Sequence, residues 1–405
     1  MRINGFADVQ GGSYTEMFGF EWRRPLAGHD TAAWGAQEDR NTVLVVIHTA
    51  ARGQHLLDAV RLVESDPRIK IAYTTDSDVL DQGVERLLRD IDGVLVPWRH
   101  ATMSDGFGLA ISTDLAAVRR VRAPSIVMPF GERIETAARR EAGHGLSCST
   151  GAQRVIHRCG AGPSSIVLAH EAELARLTRR FPEALPVTTV AGDPTYDRLT
   201  VSMPLRGFYR RVFGVGPRQK LVVVGAMKAW PGQADLLARL SAELPAEGYH
   251  VIALCPPDSG FEGMGMSACL RWGLRALPPE GDWRAALVAA DWIIDDGTIG
   301  PYGAVAGVPV FLSGPHVAGM DPGSAVAELS LVAPRLSPYR PVLAQLHDAA
   351  RRYRPDDHRS VLERITSEPG RFNRNMRSLM YRHLRLRQPL SIPTTDPVSP
   401  PFRID

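Results

Sequence analysis

The sequence contains few cysteines and little excess charge. Its four cysteines are Cys148, Cys159, Cys255 and Cys269, and no two have the two-residue spacing of a zinc knuckle or a redox motif. We therefore expect reduced thiols, no disulfide and no bound metal. A formal net charge of +3 across 405 residues is too small to indicate a nucleic-acid-binding surface, so we expect no nucleic acid partner.

Long hydrophobic runs are also missing. No apolar stretch approaches the ~20 residues that a membrane-spanning helix needs. Residues 1–5 lack the charged-then-apolar order of a signal peptide. We therefore expect a cytoplasmic protein, and the abundance of Ala, Arg, Gly and Pro over Lys is typical of a bacterial genome rich in G and C.

Length and periodicity predict an α/β protein of two domains, since 405 residues exceed one ordinary core. Residues 1–40 show no clear period and suggest an irregular arm. Apolar strands then alternate with amphipathic helices over residues 41–190, which predicts a Rossmann-like, doubly wound parallel sheet. The predicted strands are 42–48, 69–74, 93–97, 125–129 and 165–169, and the predicted helices are 53–63, 79–88, 112–121 and 171–181.

A second Rossmann-like series follows over residues 191–388. It begins after the turn Gly192-Asp193-Pro194, which is a natural domain boundary. The predicted strands are 220–225, 249–254, 274–277, 292–294 and 308–312, with a helix at 283–290. Residues 389–405 are rich in proline, and we expect this tail to lie over the surface or to be loose.

The stretch Asp291–Leu312 is the most informative about function. A short buried-type strand is broken by Asp295-Asp296-Gly297-Thr298, residues that cap helices, before the chain resumes the sheet. Backbone amides at a helix start carry partial positive charge and suit a phosphate. The alternative interpretation is a tightly packed strand-helix-strand joint without a ligand.

These motifs resemble GT-B glycosyltransferases, and within them CDP-glycerol glycerophosphotransferase-like actinobacterial proteins. The linker residues Gly192, Pro194 and Asp197 match the family's Gly-x-Pro-x-x-Asp, and Asp295 to Thr298 resemble its donor loop. The small-residue helix ending in Gly-x-Pro is matched by Ala304, Gly307 and Pro309. The resemblance implies two Rossmann-like domains that face a cleft, with acceptor bound at the first domain (41–190) and nucleotide donor at the second (191–388).

One departure from the family puts the reaction in question. Members carry a His-Gly pair where this chain has Phe130-Gly131, and phenylalanine cannot move a proton. Either the base has moved, or the activity has changed or gone.

The first domain supplies two candidate bases and four candidate acceptor-binding residues. His48 closes the first strand and could deprotonate a hydroxyl, because imidazole titrates near neutral pH; alternatively it bonds a loop carbonyl. Glu132 could replace it, or simply cap a helix. Near a helix start, Arg52 would suit an acceptor phosphate. The acceptor-binding candidates are Arg52, Gly53, Gly131 and His170.

The second domain supplies the candidates for donor binding. In the loop after its first strand, Lys228 could neutralise a pyrophosphate and Trp230 could stack on a base; a solvated lysine and a buried tryptophan are the alternatives. The donor-binding candidates are Gly225, Ala226, Lys228, Trp230, Cys255, Asp296, Gly297, Thr298 and Tyr302.

The first hypothesis is a transferase that moves a sugar or glycerol-phosphate group from a nucleotide-diphosphate donor to an unidentified acceptor, without a cofactor. The second is a catalytically silent GT-B-like protein that binds a nucleotide or serves as a partner in a biosynthetic pathway. The third is a nucleotide-sugar 2-epimerase. Arginines of the C-terminal region could also contact an anionic surface, or they form a solvated helix face: Arg351, Arg352, Arg354, Arg371, Arg374, Arg377, Arg382, Arg385 and Arg387.

Overall fold

The computed structural model describes residues 41–76, 82–91, 94–130, 165–225, 233–254, 274–277, 281–313 and 323–401. Two separate sheets, one of seven strands and one of five, form its framework, and every strand pair in them is parallel. The predicted α/β class with two doubly wound sheets is confirmed.

The first sheet has the strand order β3-β2-β1-β4-β5-β6-β7. Its central strand β1 reads Thr-Val-Leu-Val-Val-Ile and is buried throughout, as expected where helices cover both faces. The strands are β1 Thr42–Ile47, β2 Lys70–Thr75, β3 Val94–Leu95, β4 Leu109–Ser112, β5 Ser125–Val127, β6 Ser165–Leu168 and β7 Thr188–Val190. The helices are α1 Ala50–Val60, α2 Gln82–Asp90, α3 Trp98–Met103, α4 Leu115–Arg120 and α5 Glu171–Arg180.

Two strands of this sheet differ from the sequence prediction. Residues 109–112 form β4, which lies between β1 and β5, whereas the helix predicted for 112–121 begins only at Leu115. A four-residue strand buried on both faces has no alternation to reveal it. The second difference is β7, an edge strand of three half-buried residues just before Gly192, which the sequence assigned to no element.

The second sheet has the order β10-β9-β8-β11-β12. Its strands are β8 Lys220–Gly225, β9 Tyr249–Leu254, β10 Arg275–Leu277, β11 Trp292–Asp295 and β12 Val310–Leu312. The remaining helices are α6 Pro194–Ser202, α7 Arg206–Val212, α8 Gln233–Glu243, α9 Trp283–Ala289, α10 Gly300–Val305, α11 Ala325–Val332, α12 Val342–Arg352, α13 Arg359–Ile365 and α14 Phe372–Leu384. No helix within these described ranges is long and apolar enough to cross a membrane.

The last helix returns to the first sheet. Phe372, Met376 and Met380 of α14 are fully buried in the same apolar cluster as Val43 and Val45 of β1. The sequence prediction groups residues up to 388 with the second domain, so this packing is a difference from it. A returning helix ties the two halves of the chain together.

The linker motif holds this helix in place. Gly192 has φ +101°, and a Cβ there would lie 2.8 Å from the carbonyl oxygen of Glu368, so only glycine fits. The Asp197 carboxylate accepts hydrogen bonds from the amides of Gly370 (2.6 Å) and Phe372 (3.1 Å), at the start of α14. The linker residues that carry the family resemblance therefore connect the linker to the start of α14.

A buried carboxylate connects both domains to the linker. Asp58 of α1 lies 2.6 Å from Nη1 of Arg198 in the linker helix α6 and 2.5 Å from Nη1 of Arg284 in α9 of the second domain. All three side chains are at most 7% exposed. Burial alone would raise the pKa of Asp58, but the two guanidinium groups outweigh it and lower that pKa to about 2.

Residues 389–401 of the tail lie along this junction. Arg198 donates to the carbonyl oxygens of Asp396 and Pro397, and the Tyr209 hydroxyl donates to that of Val398. Arg377, one of the predicted surface arginines, is only 5% exposed and donates to the Ser391 carbonyl oxygen. It therefore anchors the tail and cannot belong to an exposed basic face.

Replacing Asp58 by asparagine should destabilise the protein strongly. Arg198 would keep its charge in a buried site without its carboxylate partner, and Arg284 would retain only Asp282, at 2.7 Å, which costs about 3–5 kcal/mol. Urea unfolding followed by tryptophan fluorescence measures the change. The matched control is Asp105→Asn, because Asp105 is 73% exposed in its 3.4 Å pair with Arg122 and should cost less than about 1 kcal/mol. Equal costs for both variants would contradict the assigned role of Asp58.

Candidate functional site

An acid-base pair lies at the carboxyl edge of the first sheet. His48 follows β1 and Asp76 follows the neighbouring strand β2, so the two side chains meet. Nδ1 of His48 is 2.7 Å from Oδ2 of Asp76. A carboxylate at Nδ1 fixes the proton there in the neutral ring, which leaves the lone pair of Nε2 available to accept a proton.

The other ring nitrogen faces the end of β4. Nε2 of His48 is 3.5 Å from the hydroxyl oxygen of Ser112, the last residue of β4, and 3.8 Å from Oδ2 of Asp114. The imidazole is 8% exposed, whereas the side chains of Asp76 and Asp114 are 39% and 36% exposed. The ring is therefore nearly buried beside two carboxylates that solvent can reach.

Positive charge accompanies this cluster. Burial alone would raise the pKa of Asp76, but hydrogen bonding and charge from His48, together with the charge of Arg52, bring it below its ordinary value. Asp76 is therefore a carboxylate at neutral pH. The cluster contains a fixed negative charge beside an imidazole, the arrangement that stabilises an imidazolium after proton transfer.

Two predicted acceptor residues have structural roles instead. A Cβ on Gly53 would lie 2.5 Å from Cδ2 of Leu87, and the Gly53 amide donates to the Thr49 carbonyl oxygen, so this glycine serves packing. His170 caps α5: its Nδ1 accepts from the Ala172 amide at 2.9 Å, and its Nε2 lies 2.9 Å from the Glu363 carbonyl oxygen. Both residues thus make contacts within the chain, and their assignment to acceptor binding stays a prediction.

The predicted phosphate cradle after β11 is filled by the chain's own carboxylates. Oδ2 of Asp295 accepts from the amides of Gly297, Ile299 and Gly300 at 2.6–3.0 Å, and Oδ1 of Asp296 accepts from the Thr298 amide at 3.1 Å. Burial and the neighbouring Asp296 raise the pKa of Asp295. The amides of residues 297–300 are thus engaged within the chain, and their contact with a donor phosphate stays a prediction.

Two other donor candidates also make internal contacts. A Cβ on Gly225 would lie 2.5 Å from Oδ1 of Asp295, so glycine is required for β8 and β11 to pack side by side. The Tyr302 hydroxyl donates to Oδ2 of Asp193 at 2.8 Å, which connects α10 of the second domain to the linker. Tyr302 is therefore part of the interdomain joint.

Six predicted site residues lie outside the described residues. They are Gly131 and Glu132 in the first domain and Ala226, Lys228, Trp230 and Cys255 in the second. Their assignments stay predictions. Within the described ranges, no group of three or more His, Cys, Asp or Glu side chains could hold a metal ion.

Phe130, where the family resemblance places histidine, packs between the domains. It contacts the core of the second domain, and its ring centroid is 5.1 Å from that of His55 on α1. Burial lowers the pKa of His55 to about 4, so this imidazole is neutral and a weak base at neutral pH. His48, whose Nδ1 lies 2.7 Å from the Asp76 carboxylate, therefore remains the candidate base.

Sequence reasoning missed Ser112 and Asp114 as parts of the site. Ser112 ends β4 and Asp114 follows it, whereas the sequence predicted a helix from residue 112 and no element at 109–111. The signal was present in Ser112-Thr113-Asp114, which comes after the apolar residues 109–111 as a strand end would. Asp76, just after the predicted strand 69–74, was not connected to His48.

The architecture is that of the GT-B fold: two parallel Rossmann-like sheets, an intervening linker and a C-terminal helix that returns to the first sheet. The structure is similar to that of the wall teichoic acid polymerase TagF. Its H444N variant matches with a TM-score of 0.59 and 12% identity, over 86% of this chain and 91% of that chain. The unaltered TagF structure matches with a TM-score of 0.56.

A second similar structure is HepE of Anabaena in complex with UDP-glucose, with a TM-score of 0.47 and 12% identity, over 85% of this chain and 99% of that chain. No protein-family profile matches the sequence, and no curated protein matches it significantly. At 12% identity, the likeness to TagF shows the fold alone.

Asp193 should make stability depend on pH in an identifiable window. Burial raises its pKa to about 6, so between about pH 4 and 6 the folded protein retains a proton that the unfolded chain has lost. Stability therefore falls as pH rises through this window, by about 3 kcal/mol. Asp193→Asn should remove this fall, and urea unfolding from pH 4 to 7 measures it.

Tyr302→Phe provides the directional check. The Tyr302 hydroxyl lowers the pKa of Asp193 by donating to it, so its removal should move the same window to higher pH. Parallel stability profiles for the unaltered protein and Asp193→Asn would show that the carboxyl does not titrate in this range.

Proposed function

We propose that this protein is a transferase that moves a sugar or glycerol-phosphate group from a nucleotide-diphosphate donor to an acceptor hydroxyl, with His48 as the base. The observation that carries the proposal is the 2.7 Å contact between Nδ1 of His48 and Asp76 at the carboxyl edge of the first sheet. Ligands of open parallel sheets bind at that edge. The GT-B fold supports a donor on the second domain.

In the proposed reaction, Nε2 of His48 takes the proton of the acceptor hydroxyl as that oxygen attacks the donor. The bond from the transferred group to the nucleotide breaks, and the nucleotide leaves with the bonding electrons. Asp76 stabilises the imidazolium that forms and keeps Nε2 oriented. A base of this kind contributes roughly 10²–10⁴-fold to the rate.

The donor would lie against the carboxyl edge of the second sheet, where β8, β9 and β11 end side by side. We assign its diphosphate to the loop after Gly225, with Lys228 as the neutralising cation and Trp230 against the base. TagF is a wall teichoic acid polymerase, and one of its H444N structures, with a TM-score of 0.55 to this chain, was obtained after a soak with CDPG. A cytidine diphosphate donor is therefore the first to test.

The second candidate is a GT-B-like protein that binds a nucleotide without turnover. The engagement of the amides of 297–300 by Asp295 and Asp296 favours it, because a donor phosphate would have to compete with two carboxylates there. Phe130, in place of the family's histidine, favours it as well.

A thermal-shift screen should identify the donor class. We expect saturable stabilisation by one nucleotide family among CDP, UDP, GDP and ADP and their sugar or glycerol conjugates, reaching about 2.7 kcal/mol at one hundred times Kd. Lys228→Ala should weaken it, and His48→Gln should leave it unchanged. No stabilisation by any of these compounds would count against both candidates as nucleotide binders.

Transfer assays with the stabilising donor should then separate the two candidates. We expect His48→Gln to lower kcat roughly 10²-fold or more and Asp76→Asn to lower it less, because only the histidine carries the proton. His347→Gln is the matched control, since His347 is an exposed histidine of α12 that contacts Tyr249 of the second sheet and is not part of the proposed site. Donor binding without transfer to any acceptor would select the silent protein.

A further inference from the structure

A cavity of about 590 Å³ lies between the end of α1, the helix α14 and the tail. It is remote from the carboxyl edge of the first sheet, where the proposed transfer takes place. Its wall includes residues 65–68, which precede β2, whereas Asp76 of the proposed site follows the same strand. A six-residue strand spans about 20 Å, so a ligand here would not reach the reacting groups.

Arginines line this cavity. Arg377 is 5% exposed, and its Nε is buried with no hydrogen-bond partner among the described residues. Arg61 is 40% exposed at the other wall and makes only a long contact of 3.5 Å with Asp58. Among the described residues, no carboxylate forms an ion pair with Arg377, so its buried guanidinium brings positive charge to the cavity wall.

The charges around the cavity do not balance. Asp58 is engaged by Arg198 and Arg284, and Asp66 is engaged by Arg68 and by the Tyr381 hydroxyl. The arginines Arg61 and Arg377 then face one further lining carboxylate, that of Asp396. The excess is positive, so the cavity favours an anion.

The tail covers one side of the cavity. Asn373 donates to the Thr394 carbonyl oxygen at 2.7 Å, and Arg377 to that of Ser391 at 2.8 Å. Leu390 is 93% exposed and lies outside the lining, whereas Ile392 and Pro393 line the cavity beside Ser391, Thr394 and Thr395. The hydroxyl groups of the tail suit a ligand that carries hydroxyls of its own.

We propose that this cavity binds a small molecule that carries a phosphate group and several hydroxyls. The phosphate would accept from Arg61 and lie in the positive field of Arg377, and the hydroxyls would bond Asp396 and Thr395. The volume is within the range of small-molecule sites and far exceeds that of a bare phosphate ion. The tail also accepts hydrogen bonds from Arg198 at the junction of the two domains. Such a ligand would therefore contact the segment that lies along this junction.

Calorimetry on the full chain tests the proposal with three probes: glucose 6-phosphate, inorganic phosphate and glucose. We expect saturable binding of glucose 6-phosphate, at least tenfold weaker binding of inorganic phosphate and none of glucose. Arg61→Gln, which removes a rim side chain without a strong contact, should weaken binding at least tenfold. Hydrogen exchange should show that glucose 6-phosphate protects residues 389–396.

Two controls separate this site from the proposed donor site. Arg359→Gln alters an arginine that is 73% exposed elsewhere on the surface, and Lys228→Ala alters the proposed donor loop; both should bind glucose 6-phosphate as the unaltered protein does. Equal affinity for inorganic phosphate, lost in Arg61→Gln, would identify free phosphate as the ligand of the same site. Absence of saturable binding, or binding that ignores Arg61, would overturn the proposal.

Discussion

The Asp58 carboxylate is the constraint on which the arrangement of the domains depends. It is buried, and it binds guanidinium groups from the linker helix and from the second domain. A charge in that position is tolerable only if both arginines are present, so the first domain, the linker and the second domain specify one another there. Arg198 also donates hydrogen bonds to the carbonyl oxygens of Asp396 and Pro397, so the position of the tail depends on the same arginine.

The linker motif works in the same way, and this limits what it says about chemistry. Asp193 caps α6 and receives the Tyr302 hydroxyl, while Asp197 receives the first amides of α14. All these partners belong to the chain itself. The motif is therefore strong support for two sheets joined by a returning helix, and the reaction has to be argued from the edge of the first sheet.

Long apolar strands were predictable from sequence because burial on both faces leaves an unmistakable run, as in β1, β8 and β9. The short strand β4 was not predictable, and without it the residues around His48 could not be assigned. Ser112 and Asp114 can be placed in the site only once β4 is known to lie beside β1. His48 itself was predictable from its place after a central strand. The engagement of the helix-start amides by Asp295 could not be predicted, because the same residues suit a phosphate or a self-capped turn.

The exposure of the groups around His48 narrows the kind of acceptor that the proposed reaction can use. The ring is 8% exposed, and its two nitrogens lie 2.7 Å from Oδ2 of Asp76 and 3.8 Å from Oδ2 of Asp114, so an oxygen that contacts Nε2 lies close to both carboxylates. A phosphate on the attacking end would be repelled there, since like charges at such distances destabilise each other. A neutral hydroxyl meets no such barrier, and its proton is attracted by the same field. Any anionic part of the acceptor would then have to lie on the side of Arg52, whose charge is felt at Asp76.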